Sequence, residues 1–279
     1  MPLEAAYFLP HPPLAIPDIG RGQEARIEKT IAAMNEVSRR IAAHRPEIVL
    51  FISPHSAYYS DWIYLAAGNK AQGDFSSFGV PKLQFELRYD ADFRDALVRE
   101  AEEHAVSAGP VSRFAQELDH GIMVPLCYIE KNLPSSKFRA VSIGGSGLES
   151  EELVSFGACI ARLCDAVQER VVLVVSGDLS HKLTEDGPYG YDPAGPAFDR
   201  LFGEIVELNE LMRFASIDQR LREDAAECGL SGFVMCAGAL EEVKRLQRTN
   251  FSSELLSLEG PYGVGYGVAA FEKEGSGYV

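Results

Sequence analysis

Cysteine is scarce. Five occur in 279 residues, at positions 127, 159, 164, 228 and 236, with no C-x-x-C pair and an odd count. That pattern fits reduced thiols better than a disulfide framework, so a cytoplasmic location is expected. Positive charge is also short: 26 Lys and Arg against 41 Asp and Glu give a formal net charge of −15. A field of that sign repels phosphate backbones and anionic lipid, which argues against nucleic acid and membrane as partners. No stretch approaches the roughly 18 consecutive apolar residues of a spanning helix. The opening "MPLEAAYFLPHPP" lacks the basic and apolar regions of an export signal. Repeats, low-complexity tracts and linker-like segments are missing too. One domain over residues 1–279 is expected, with 46% hydrophobic residues to fill its core.

What is there is an alternation of short apolar runs with longer amphipathic segments, the pattern of strands feeding helices. "AAYFL" reads as the first strand. In "QEARIEKTIAAMNEVSRRIAAH", Ile27, Ile31, Met34, Val37 and Ile41 recur at helical spacing. "EIVLFIS" and "RVVLVVSG" are apolar nearly throughout, as in parallel strands covered on both faces. "KLQFELRYD" alternates and reads as a half-exposed antiparallel strand. Helices are expected around 91–106, from "DHGIMVPLCYIEKN" and over 149–168, with a strand in "FRAVSIG". The stretch 182–198, rich in Gly, Pro, Asp and Tyr, reads as a long ordered loop of the kind that carries function. The remainder reads as mostly helical, before "EGPYGVGYGVAAF", whose glycines suit a strand passing close to other backbone. The fold class is α/β: a three-layer α/β/α domain around a mainly parallel mixed sheet.

The positions of the six histidines are the most informative feature. His11 follows the first strand, His55 the second, and His181 the strand "VVLVVSG", while His120 opens a helix after "ELD". Ligands of open parallel sheets bind outside the carboxyl ends of the strands, where loops converge. His44, in the last turn of a helix, reads as a helix-end cation, and His104 as a packed, hydrogen-bonded core residue. Neutral imidazole is the commonest metal ligand and exchanges protons near its unperturbed pKa of about 6.5. Two histidines with one carboxylate would make the facial triad of non-haem Fe(II) oxygenases. Glu227, Glu259 and Asp178 are the candidate carboxylates; Asp178, three residues before His181, also suits holding that imidazole by a hydrogen bond.

Taken together, "FLPHPPLAIPDIGRG", "ISPHSAYYSDW", "ELDHGIMVPL", "SGDLSHKLTEDGPYGYDP", "AAECGLSGF" and "EGPYGVGYGVAAF" resemble the LigB-type catalytic subunit of class III extradiol ring-cleavage dioxygenases. The nearest branch is that of the AmmeMemoRadiSam systems, related to Memo proteins. The resemblance implies that His11, His55 and Glu227 bind Fe(II), with another divalent metal such as zinc able to occupy the isolated protein. It implies His181 as the acid–base residue and His120 as a substrate-contacting one, with a small aromatic diol and O2 as reactants. Tyr189 and Tyr191 of the long loop are candidates to wall the substrate. Some members of the branch carry a second, C-terminal domain; this chain stops soon after "VAAFE", so any partner is expected to be a separate polypeptide. A homo-oligomer and a separate small subunit both stay open.

Cys228 beside Glu227 is the main departure. In Memo-like relatives a cysteine in such a "CG" context replaces the carboxylate, which makes a softer site and leads to the alternative, a metal-binding or redox-partner protein without ring cleavage. "AAECG" read as a helix end capped by Gly229 is the structural alternative to both. Hydrolysis by Ser180 or Ser53 with a histidine lacks the G-x-S-x-G elbow that would support it.

Overall fold

The structure, a computed structural model, describes residues 3–112 and 117–274. Strand β1 (Leu3–Leu9) leads through a loop containing α1 (Pro17–Gly20) into α2 (Glu28–His44) and β2 (Ile48–Ser53). There follow the two-residue β3 (Ile63–Tyr64), the hairpin strands β4 (Lys70–Phe75) and β5 (Val80–Arg88), α3 (Ala91–Glu103) and β6 (Ala108–Gly109). Next come α4 (His120–Ile129), β7 (Arg139–Gly144), α5 (Ser150–Ala166) and β8 (Val171–Ser176). Helices α6 (Ala194–Glu207), α7 (Gln219–Ala225) and α8 (Leu230–Gln247) precede the closing strands β9 (Phe251–Glu259) and β10 (Tyr266–Lys273).

Six strands form the central sheet in the order β7-β2-β8-β1-β10-β9. The first four run parallel, and β10 and β9 extend the sheet antiparallel to their neighbours. Every residue of β1, β2 and β8 is buried, which is why those runs carry no polar alternation. Side chains of successive residues enter opposite cores: Ile48, Leu50 and Ile52 on one face, Val49 and Phe51 on the other. Helices α2 and α4 cover the second face, while α3, α5, α6 and α8 cover the first. The expected three-layer α/β/α architecture is thereby met.

The strand order explains where loops converge. From β1 the chain crosses by α2 to β2, leaving one place empty; after β7 it returns by α5 on the opposite face and inserts β8 into that place. The loops after β1, β2 and β8 therefore leave the sheet side by side, at a topological switch point.

Some expectations from the sequence change. The first long helix begins as a 3-10 turn at Gln23–Ile27 before its α-helical part. The long loop ends sooner than residue 198, because α6 starts at Ala194 with Pro196 in its first turn, where proline costs no hydrogen bond. β9 lies in the stretch read only as mostly helical; it is an edge strand whose register shifts opposite Val268 and Ala269, and the irregularity breaks its alternation. In the glycine-rich end the strand begins only at Tyr266, and the close approach to other backbone comes in the turn before it, where a Cβ on Gly263 would sit 2.6 Å from Gly187 Cα, while one on Gly265 would meet Asp199 Oδ2 at 2.0 Å.

Candidate functional site

His11, His55 and His120 meet at the carboxyl ends of β1 and β2. Their ligating nitrogens all lie within 4.8 Å of one another, and His11 Nε2 is 3.0 Å from His55 Nε2. The His120 ring lies 4.0 Å, centroid to centroid, from that of His55 and 5.4 Å from that of His11. His11 is buried; its Nδ1 is 2.8 Å from Ser176 Oγ, at the end of β8, and its backbone N–H donates to Asp178 Oδ1 at 2.8 Å.

The His55 loop is tied to α4 by Asp119. This residue caps the helix by accepting from Ile122 N, accepts from Ser53 Oγ at 2.6 Å through the same oxygen, and accepts from Ser56 Oγ at 2.7 Å through the other. Ser53 Oγ in turn accepts from His55 N. The packing leaves no room for a side chain at Gly121, whose Cβ would sit 2.4 Å from Ser53 Oγ. Asp119 and Ser176 were not anticipated, and Ser53, weighed only as a nucleophile, serves instead to link Asp119 to the His55 backbone, although Asp before a helix in "DHG" is a capping signal in the sequence.

Burial sets the electrostatics. Desolvation, then the neighbouring histidines, lowers the pKa of His11 well below its ordinary value. Desolvation also lowers His55 and His181 and brings His120 to about 4. All four are thus neutral near pH 7, the form that binds metals. The buried Asp178 carboxyl is pushed up to about 7 by the same cause. Its Oδ2 is 3.9 Å from His11 Nε2.

His181 sits differently. Its backbone N–H donates to Ala225 O and its Nδ1 is 2.6 Å from Ala226 O. A carbonyl only accepts, so Nδ1 carries the proton and Nε2 of the neutral ring is left as a base. Ala226 holds that carbonyl from a left-handed conformation, φ 54°, unusual for a residue other than glycine. The Tyr189 ring stands edge-on to His181 at 5.5 Å. Tyr191 pairs with Leu183 in a short bridge and leaves its side chain largely in solvent. Asp178 does not orient His181 as expected; it holds the backbone of His11 instead.

Glu227 does not join the histidines. Its Oε1 accepts from Arg222 Nε and its Oε2 from the backbone N–H of Leu230, both at 2.6 Å, so it caps the start of α8. This corrects the expectation that it faces a metal: both oxygens are taken by donors on the two flanking helices. Cys228 points the other way, with Sγ 3.8 Å from His11 Nε2 and 3.5 Å from Asp178 O. Burial raises its thiol well above the ordinary value. Glu259 is also engaged elsewhere, its Oε1 accepting from Thr30 N and Oγ1 at the start of α2. Gly229 precedes α8 and does not cap α7, which ends on the left-handed Ala226.

The remaining histidines lie apart. His44 approaches Tyr7 Oη and Glu272 Oε1 at 3.1 and 3.3 Å, whereas His104 is exposed at the end of α3 and not a core residue. His104, Glu100 and Cys159 form a second group of donors, but Arg162 fills it, donating to Glu100 Oε1 at 2.6 Å and to Cys159 Sγ at 3.2 Å.

The first group fits a metal ion. Two nitrogens 3.0 Å apart match neighbouring ligands held about 2.1 Å from one ion. The imidazoles are neutral, no side-chain cation stands among the three, and an ion would supply the charge that lets Asp178 ionise. The donors present are three imidazoles, with the Cys228 thiol and the Asp178 carboxyl both beside His11, 3.8 and 3.9 Å from its Nε2.

Fold and site together define a LigB-type protein, and the chain belongs to that family: the model of the catalytic LigB subunit of aromatic ring-opening dioxygenase matches residues 5–269. It is similar to protein CA_C1420 of Clostridium acetobutylicum, at 34% identity over 98% of this chain and 58% of that one. It is also similar to the 2,3-dihydroxyphenylpropionate/2,3-dihydroxicinnamic acid 1,2-dioxygenase of Klebsiella pneumoniae, at 25% identity over 57% of this chain and 51% of the other. The chain thus spans less than two thirds of the length of these relatives. A solved structure, the uncharacterized protein JW3007 from Escherichia coli K12, shares the fold with a TM-score of 0.62 at 14% identity, covering 96% of this chain and 99% of its own. Among the described residues, no helix is long and apolar enough to cross a membrane.

Proposed function

We propose that the chain, as one LigB-type domain, is a cytoplasmic, Fe(II)-dependent extradiol dioxygenase that opens the ring of a small aromatic diol with O2. The observation that carries this reading is the convergence of His11, His55 and His120, with His11 and His55 in Nε2 contact at 3.0 Å, beside a histidine whose Nε2 is left as a base. His11 and His55 would hold the metal, with His120 or Cys228 as the third donor. Fe(II) there would supply open positions for the diol and O2 and would acidify the bound phenol.

The chain's own groups then handle protons. His181 Nε2 accepts one from the diol, and Ala226 O, accepting from Nδ1–H, stabilises the imidazolium that forms. The same ring returns the proton as the product leaves. Tyr189 stands edge-on to that imidazole, with most of its own side chain in solvent. The test is anaerobic reconstitution with Fe(II), then a panel of catechols with O2, followed by the absorbance of ring-opened semialdehydes. Metal binding without product from any diol would overturn the reading.

A second reading has its own support. Cys228 Sγ lies 3.8 Å from His11 Nε2 while both oxygens of Glu227 are occupied. A thiolate donor suits a softer ion, as in a Memo-like metal-binding or redox-partner protein without ring cleavage. Copper or zinc binding that depends on Cys228, with no diol turnover, would favour it.

A further inference from the structure

Ser180 stands immediately before His181 and is fully buried, yet neither metal binding nor the proton steps above use it. Each of its polar groups is engaged. Its backbone N–H donates to Asp199 Oδ1, on α6, at 2.9 Å, and its carbonyl accepts from Gly265 N, just ahead of β10, at 2.7 Å. Its Oγ accepts from Lys182 N at 2.9 Å and donates to Ala225 O at 3.0 Å. The hydroxyl is therefore no free nucleophile, since its proton is committed to a carbonyl and solvent does not reach it. Helix α6 also closes over it at Gly195, where a Cβ would sit 2.6 Å from Ser180 Oγ.

The consequence falls on the linker after α7. Ala225 O accepts from Ser180 Oγ and from His181 N together, while Ala226 N donates to Glu223 O, so the peptide plane joining Ala225 and Ala226 is held at both edges. The carbonyl that meets Nδ1 of His181 is one rotation further along, at Ala226, whose left-handed φ 54° and ψ 44° an alanine leaves readily once unsupported. We propose that Ser180 is a positioning residue: it holds Ala226 O against Nδ1 of His181 and so keeps Nε2 free of a proton. Without that acceptor nothing selects the Nδ1–H tautomer. That Nε2 serves as a base rests on the ring-opening reading; that Ser180 sets the tautomer does not.

The first arm of the test reads the tautomer itself, by long-range proton–nitrogen NMR of the full chain near pH 8 without added metal, the His181 ring being assigned by its loss in His181→Gln. The unaltered protein should show Nδ1 protonated and Nε2 bare. Ser180→Ala, with unchanged circular dichroism, should show both tautomers in exchange. Ser180→Cys keeps the volume but is a weak donor; it should shift in the same direction, and it takes the place of the alanine variant if that one does not fold. Adding Ala226→Gly to either should restore the Nδ1–H form, because glycine holds a left-handed conformation without support. Loss of packing alone would not be repaired in this way. A bare Nδ1 in the unaltered protein, a pure Nδ1–H ring in the serine variants, or no recovery on adding Ala226→Gly overturns the proposal. The second arm supplies a panel of catechols with O2 to the Fe(II)-loaded protein. In the serine variants kcat should fall by about tenfold or more with KM within about twofold, since the diol still binds while its proton acceptor is misplaced. Undiminished kcat despite a changed tautomer overturns the proposal too. A changed tautomer with no turnover by the unaltered protein supports the positioning role and sinks the ring-opening reading; turnover with the tautomer unchanged in the variants does the reverse.

Discussion

Glu227 and Cys228 are adjacent in the chain, yet their side chains part. The backbone leaves α7 through the left-handed Ala226 and enters α8 at Leu230, so the Glu227 carboxylate reaches the first N–H of α8 and the Arg222 guanidinium while the thiol turns towards His11. No periodicity governs such a linker, which is why the sequence alone could not choose between them. The strand-end histidines were legible because the ends of apolar runs are legible. Asp119 was not, because its role joins two distant segments. The geometry predicts different phenotypes. Cys228→Ser should weaken binding of a first-row metal by about tenfold or more, the scale of losing a group that touches a ligand. Glu227→Gln should leave metal affinity within about twofold and change stability by no more than about 1 kcal/mol at pH 7, since burial already holds this carboxyl above its ordinary range and the amide keeps an acceptor for Leu230 N. Chelator competition and urea unfolding read the two effects. A metal defect in Glu227→Gln with none in Cys228→Ser would restore the carboxylate as ligand.

At the level of elements, the strands and helices that pack on both sides were readable because burial imposes a period. β9 was not, since an edge strand with a shifted register gives its residues mixed surroundings. The fit between helices is also invisible in a periodic pattern. α5 and α8 lie backbone to backbone: a Cβ on Gly157 would be 2.0 Å from Met235 O, and one on Gly238 2.3 Å from Val154 O. Neither obstacle is a flexible side chain, so the helices themselves must separate. Alanine favours helix over glycine by up to about 1 kcal/mol, but overpacking here should dominate. Gly157→Ala is expected to destabilise the protein by about 1–3 kcal/mol in urea unfolding. A neutral or stabilised variant would mean that the two helices do not meet as described.

Across the whole molecule, buried ionisable groups couple stability to pH, and they oppose one another. The histidines of the site, lowered by burial, favour folding where the unfolded chain has also lost their protons, so their contribution falls as pH drops below about 6.5. Asp199 acts in the other direction. It is 8% exposed, accepts from Ser180 N at 2.9 Å, and is pushed up to about 7 by burial. Between about 4 and 7 the folded protein keeps a proton that the unfolded chain has released, so this group lowers stability as pH rises through that window. Above it the full cost, on the order of 2–4 kcal/mol, is present. Asn at this position retains an acceptor for Ser180 N and never ionises. Asp199→Asn should therefore match the unaltered protein at about pH 3.5, below both values, and exceed it at pH 8.5 by an amount of that order, measured as the shift in urea midpoint. Equal midpoints for the two proteins at both pH values would mean that Asp199 is hydrated, and that the close approach of Gly265 to its carboxylate is looser than the structure has it.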